Sequence, residues 1–258
     1  MSLEYLISSV REYPLLSLAG SFVGGLLLAG ILWAIRVGRD RRRSDADEMS
    51  ESEPRFGGVQ NLPPVHWLEG DDSPTGRRVL DCRPIALGVQ LMTPNTKLLD
   101  KFFEVAHGDP DEVAGHSPEK AWLVGVDWTF DFEESEQIAG GMSPQVTEDL
   151  WRIDCISNRL YLRRSWTGQL MFMTNFQRVP TDGGRITRIW APGDDPFSSQ
   201  SPEYIAAYVR HLVDTHLLNV ATPFPIPPDF PEDNQKIAAL VFYSVGRRGW
   251  LAEYFGGR

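Results

Sequence analysis

An arginine-rich stretch holds the residue types that could do chemistry in this sequence. Seven arginines lie between Trp151 and Trp190, with only Asp154 and Asp182 among them, although the whole chain has a formal net charge of −10. A guanidinium group presents a planar fork of donors that fits carboxylate and phosphate oxygens. The stretch therefore predicts recognition of an anionic group. The arginines are Arg152, Arg159, Arg163, Arg164, Arg178, Arg185 and Arg188.

Four residues in the middle of this stretch form the predicted ligand-binding site. Arg163 and Arg164 are neighbours on an expected strand, so their side chains point to opposite faces of the sheet. Arg164 shares a face with apolar residues that are expected to pack, and a guanidinium there needs an anionic partner. Arg163 shares the polar face with Ser165 and Thr167, which could line a groove for an anion. The predicted site is Arg163, Arg164, Ser165 and Thr167.

The alternative is that these arginines pair with carboxylates of the same chain. An expected strand nearby carries Asp127, Asp131 and Glu133, and ion pairs across neighbouring strands are common. Arginines on a polar sheet face usually need no further role. Both interpretations stay open at the level of the sequence.

Catalytic and metal-binding signatures are absent from the sequence. It has no phosphate-binding glycine loop, no paired zinc histidines on a helix, no nucleophile elbow and no CxxC pair. Asp127 and Asp131 would lie about 13 Å apart on a strand, too far to share one ion. The acidic loop at Asp109, Asp111 and Glu112 lacks the spacing of a calcium loop. Catalytic residues therefore stay unknown, and neither a metal nor another cofactor is predicted.

Two histidines and two cysteines are further candidates for chemistry. His211 and Asp214 lie one turn apart on an expected helix and could form a hydrogen bond. His216 lies on the apolar stripe of that helix and is predicted to be a core residue. Cys82 and Cys155 are predicted to be buried, unreactive thiols, and two such distant cysteines favour a reducing compartment.

The elements that position the arginines form an antiparallel meander. Residues 149–176 predict three strands, joined by tight turns at Ser157-Asn158 and Thr167-Gly168. Strict alternation over residues 124–133 predicts another strand, and residues 185–191 a fifth. The expected fold class is α+β, with an antiparallel β-meander of about five strands and helices on one face.

Other patterns predict the remaining elements. Residues 79–92 predict a strand bent at Pro84. Thr93-Pro94 is expected to open a helix that Gly108 ends. Residues 202–220 predict an amphipathic helix, and residues 233–255 a final helical pair.

A charge-free run at residues 13–35 predicts a transmembrane helix. About 20 apolar residues cross the hydrocarbon core of a bilayer. Five arginines follow the run, and such clusters are retained on the cytoplasmic side. The protein is therefore expected to be a single-pass cell-membrane protein, with the bilayer as a partner and the carboxy-terminal domain in the cytoplasm. The expected membrane-interface arginines are Arg36, Arg39, Arg41, Arg42 and Arg43.

Small residues inside the run allow homodimerisation through the helix. Ser17, Ser21, Gly25 and Ala29 repeat every four residues, a spacing that lets two helices approach closely. The predicted organisation is an extracytoplasmic segment at 1–12, the span at 13–35, a flexible linker at 36–76 and an α+β domain at 77–258. The linker is basic and then acidic, a composition typical of a disordered tether.

These observations predict a membrane-anchored interaction module. Its cytoplasmic domain would recognise a protein or anionic partner through the arginine-rich sheet. Nucleic acid is not expected as a partner, because the net charge is −10. The alternative is a membrane-tethered enzyme that acts on an anionic small molecule, with Arg163 or Arg164 as the anion clamp.

Overall fold

The computed structural model describes residues 63–91, 93, 95–179, 182–193 and 200–256. Within these ranges no helix is both long enough and apolar enough to cross a membrane. The predicted span at 13–35, its small-residue repeat, the arginines that follow it and the first part of the linker lie outside the described residues.

A six-stranded antiparallel sheet forms the centre of the fold. Its strand order is β3-β8-β6-β5-β4, and β7 also pairs with β8. The α+β class and the antiparallel sheet are therefore as predicted. The strands are β3 Trp122–Phe130, β4 Trp151–Ile156, β5 Arg159–Arg164, β6 Leu170–Asn175, β7 Gln177–Val179 and β8 Gly183–Ala191.

The meander β4-β5-β6 follows the sequence pattern closely. Ser157 and Asn158 connect β4 to β5 with φ angles of 49° and 62°. Positive φ at both central residues gives the turn a twist that matches the flanking strands. The register pairs Arg152 with Arg163, and the pairing of β5 with β6 shifts between Leu162 and Arg163, where Met171 is an additional residue on β6.

A second, four-stranded sheet has the order β1-β2-β10-β9. Its first strand, Trp67–Leu68, lies within the segment 36–76 that the sequence predicts to be a flexible linker. Trp67 pairs with Leu80, its indole Nε1 donates to Asn234 Oδ1 at 2.9 Å, and its ring stacks on Tyr254. The strands are β1 Trp67–Leu68, β2 Val79–Asp81, β9 Phe224–Ile226 and β10 Leu251–Tyr254. The second helix predicted within residues 233–255 is therefore wrong, because that part of the chain forms β10.

Five α-helices occur in the described residues, and two of them correct the sequence interpretation. The predicted bend at Pro84 is the first turn of a helix, where the missing N–H of proline has no cost. The strand at 122–130 ends before Asp131, which caps a helix instead. The helices are α1 Arg83–Gly88, α2 Thr96–His107, α3 Phe132–Gly140, α4 Pro202–Leu212 and α5 Asn234–Val245.

The start of α3 is a capping box. Asp131 Oδ1 accepts from the backbone N–H of Glu134 at 2.8 Å, and Glu134 Oε2 accepts from the N–H of Asp131 at 3.0 Å. Two otherwise unpaired backbone donors are satisfied in this way. The box overrides the apparent continuation of the alternating pattern to Phe132, which lies half exposed on the helix.

Aromatic side chains join the central sheet to α4 and α5. Trp151 is fully buried, stacks on Phe172 and meets Tyr208 edge to face. The indole Nε1 of Trp151 donates to the carbonyl of Ser244 in the last turn of α5 at 2.8 Å. These contacts fix the sheet face opposite the one that carries Arg163.

Candidate functional site

A buried cluster of two arginines and one aspartate lies at the edge of the sheet. Arg152 and Arg163 are directly opposite each other on β4 and β5, which brings two like charges together. Asp154 separates them: its Oδ1 accepts from Arg152 Nε at 2.9 Å, and its Oδ2 accepts from Arg163 Nη2 at 2.7 Å. All three residues are more than nine-tenths buried. We call them the RDR triad.

The triad also holds the end of α2. Arg152 Nη1 donates to the carbonyl of Val105 and, at 2.9 Å, to the carbonyl of Gly108. The last carbonyls of a helix have no partner within it, and a guanidinium complements their partial negative charge. Arg152 thus donates to three acceptors, whereas Arg163 Nε has no hydrogen-bond partner among the described residues.

Arg163 lines a partly open cleft with a volume of about 380 Å³. Volumes of a few hundred Å³ are typical of sites for small ligands. The cleft combines charged, hydroxyl and apolar side chains. Its lining residues are Lys101, Glu104, Val105, Glu112, Val113, His116, Ser117, Arg163, Thr167, Gly168 and Leu170.

The walls of the cleft come from α2, from the turn after it and from the β5-β6 hairpin. Asn95 caps α2 by accepting from the N–H groups of Lys97 and Leu98. The buried face of α2 packs on the hairpin, where Phe102 and Trp166 have ring centroids 5.2 Å apart. Gly168 allows this approach, because its φ is +71° and a Cβ there would lie 3.2 Å from Val105.

The turn after α2 covers the middle of β5. Tyr161 and Met173 pack with Val113, and the phenol oxygen of Tyr161 accepts from the N–H of Gly115 at 3.1 Å. The face of Tyr161 is therefore buried rather than an open polar groove. The cleft lies where this cover ends, beside Arg163.

The structure places the four predicted ligand-binding residues in different surroundings. Arg163 and Thr167 line the cleft. Arg164 lies with its guanidinium 4.4 Å from the Trp151 ring and donates to the carbonyl of Ser244, so it serves the packed face as expected. Ser165 is fully buried and is not among the lining residues. Ligand binding by all four stays a prediction.

Other arginines of the stretch pair with carboxylates of the same chain. Arg185 on β8 contacts Asp127 on β3 at 2.8 Å, and Arg178 pairs with Glu136. Of the three acidic residues expected on one strand, only Asp127 lies on β3, because Asp131 and Glu133 belong to the cap and first turn of α3. The alternative interpretation of the sequence thus describes these exposed arginines well.

Four charged or titratable residues line the cleft although the sequence did not indicate them as ligand-binding: Lys101, Glu104, Glu112 and His116. They lie between 47 and 62 residues before Arg163 in the chain. The sequence around Glu112 indicates only an acidic turn. The position of Glu112 opposite the hairpin depends on how α2 packs on the sheet. The sequence predicts an apolar face for α2 but not the element that this face contacts.

The histidine candidates lie far inside the fold, at the end of α4. The chain continues there as a π-helical turn, Val213–Leu217. Asp214 pairs with Arg210 at 2.8 Å rather than with His211, and His216 Nδ1 lies 2.9 Å from Thr215 Oγ1. Complete burial lowers the pKa of His211 to about 4 and that of His216 well below its usual value. Both rings are therefore neutral core groups at neutral pH.

The two cysteines are free thiols, and burial raises the pKa of Cys82 to about 12 and also raises that of Cys155. A thiol with a raised pKa forms less of the thiolate and is therefore a poor nucleophile. No group of three or more potential metal ligands occurs among the described residues.

Comparison of the chain with protein-family models, with curated proteins and with solved structures finds no match. Function must therefore be inferred from the chemistry of the cleft. Within the described part of the chain, no hydroxyl or thiol in the cleft is hydrogen-bonded to a base that would activate it.

Proposed function

We propose that the protein is a membrane-anchored cytoplasmic binding module that recognises an anionic group in the cleft beside Arg163. The observation that supports this proposal most strongly is the RDR triad at the cleft. Two guanidinium groups share one carboxylate there, so the triad carries a formal charge of +1 inside the protein.

A positive charge in such a place has a strong preference for an anionic partner. Arg163 is 6% exposed, and Asp154 is already shared with Arg152. Removing a charge from water costs several kcal/mol unless nearby opposite charge compensates it. A carboxylate or phosphate oxygen in the cleft would complete the compensation and accept charge-assisted hydrogen bonds. The hydroxyl group of Thr167 supplies a further donor in the same cleft.

The anchor is the second part of the proposal. Residues 13–35 contain no charged side chain, and five arginines follow within the next eight positions. These features support a single span with residues 77–258 on the cytoplasmic side. A reporter enzyme that is active only outside the cytoplasm, fused after Arg258, is expected to be silent. Activity of that fusion would reverse the proposed orientation.

The binding experiment uses the full chain in detergent micelles and N-acetyl-L-leucine as a probe. The probe carries one carboxylate and an apolar side chain, which suit Arg163 and the apolar cleft residues Val113 and Leu170. Isothermal titration calorimetry should show saturable binding that weakens at high salt. Arg163→Gln should weaken it about 10- to 100-fold, the value of one or two hydrogen bonds to a charged group.

Arg159→Gln is the matched control, because it removes the same charge from the same strand at an exposed position outside the cleft. It should bind the probe as the wild type does. Thr167→Trp is a second test that leaves the RDR triad intact and fills the cleft, so binding should be lost. Equal binding by the wild type, Arg163→Gln and Thr167→Trp would refute the proposed site.

A further inference from the structure

The cleft presents unpaired negative charge as well as positive charge. Lys101 Nζ lies 2.8 Å from Glu104 Oε1, and both side chains are substantially exposed at the rim. This pair satisfies itself. The charged residues that remain for a ligand are Arg163 on one wall and Glu112 on another.

The Glu112 side chain has no partner in the part of the chain that the structure describes. Its carboxylate makes no hydrogen bond or ion pair with any other residue in the described ranges. The residue lies in the short turn Pro110–Val113 after α2. Its Oε2 is 3.6 Å from the position that a Cβ atom on Gly108 would occupy. Glu112 therefore places a free carboxylate beside the end of α2, on the same cleft as Arg163.

Apolar side chains complete the lining. Val105 and Val113 are buried beneath the cleft, and Leu170 is partly buried at the start of β6. Burial of an apolar group against them adds affinity in proportion to the area removed from water. A ligand that uses the whole cleft thus needs an acidic group, a basic group and an apolar portion.

We infer that the cleft binds an apolar α-amino acid, with the carboxylate of the ligand on Arg163, its ammonium group on Glu112 and its side chain against Val113 and Leu170. The inference rests on the proposed anion site and adds the chemical class of its ligand. Arg163 and Lys101 are balanced by Glu112 and Glu104 in the cleft. A zwitterionic ligand is attracted at both of its charged groups, whereas a simple anion is repelled by Glu112.

Three probes with the same apolar side chain separate the charges. L-leucine carries both charges at neutral pH, N-acetyl-L-leucine keeps only the negative one, and L-leucinamide keeps only the positive one. Calorimetry with the full chain in detergent should give the tightest binding for L-leucine. Its dissociation constant should be about tenfold lower than that of N-acetyl-L-leucine, because one more charge-assisted contact forms.

The variant Glu112→Gln tests the ammonium contact. It should weaken L-leucine binding by about tenfold and leave binding of N-acetyl-L-leucine unchanged or improved. Glu119→Gln is the matched control, because Glu119 is exposed in the same part of the chain and does not line the cleft. That variant should bind both probes as the wild type does.

The outcomes distinguish this inference from the proposed function. If N-acetyl-L-leucine binds as tightly as L-leucine, the amino-acid assignment is overturned while the anion site stands. If L-leucinamide binds as tightly as L-leucine, the carboxylate contact is not used and both are overturned. If none of the three probes binds, both are again overturned.

Discussion

Replacement of Asp154 by asparagine should strongly destabilise the folded domain. Asp154 accepts hydrogen bonds from Arg152 at 2.9 Å and from Arg163 at 2.7 Å, and it is 7% exposed. Asparagine keeps the shape but removes the charge, and its amide nitrogen cannot accept a hydrogen bond. Two buried guanidinium groups then face each other across β4 and β5 without a compensating carboxylate.

The expected loss follows from the burial of the triad. Removing one partner of a buried ion pair costs about 3–5 kcal/mol, because the remaining charge stays desolvated. Asp127→Asn is the control, since the Asp127–Arg185 pair has the same chemistry with both side chains more than half exposed. Exposed pairs contribute about 0–1 kcal/mol. The two variants therefore separate burial from the mere loss of an ion pair.

Urea unfolding of the full chain in detergent, followed by tryptophan fluorescence, measures both free energies of unfolding. Urea is uncharged and leaves the ion pairs unscreened, and the buried Trp151 on β4 reports on this sheet. Asp154→Asn should lose about 3–5 kcal/mol and Asp127→Asn about 1 kcal/mol or less. Equal losses in the two variants would refute the structural role given to the triad.

Three further predictions concern other parts of the fold. The pKa of His211 is lowered to about 4 in the folded protein, so the unfolded chain binds a proton at this histidine first as the pH falls below about 6.5. The free energy of unfolding should therefore fall by up to about 1.4 kcal/mol per pH unit. His211→Phe should reduce that slope in urea unfolding. Asp131→Ala should cost about 1 kcal/mol by removing the cap of α3, measured by the same method; no change would contradict the capping box. Gly183→Ala should destabilise severely, since its φ is +94° and a Cβ would lie 2.1 Å from the carbonyl oxygen of Phe130. A stable Gly183→Ala variant would show that this turn is wrongly placed.

Local patterns predicted the meander, because they depend on residues close together in the chain. Ser157-Asn158 has the residue types that accept positive φ, and the flanking runs have strand-forming side chains. The alternation over β3 worked for the same reason. The predicted continuation of the strand to residue 133 was wrong, although Asp131 followed three residues later by Glu134 is the spacing of a capping box. The strand at Trp67 was missed, because its stability comes from Asn234 and Tyr254 far along the chain.

The candidate site was only partly accessible from the sequence. Arg163 and Thr167 were identified from the face of one strand. Alternation alone predicted an open polar face for Arg163, whereas the turn after α2 covers this face of β5. The carboxylate of Glu112 comes from a distant segment, so no local spacing could have joined it to the arginine.

A crystal structure of the protein with p-bromobenzoate would test the central claim most directly. The bromine gives an anomalous signal that marks the position and orientation of the ligand. The account predicts the carboxylate at Arg163 and the bromine beside Val113 or Leu170, the apolar residues of the cleft. An empty cleft at saturating p-bromobenzoate, or a carboxylate bound elsewhere on the sheet, would contradict it.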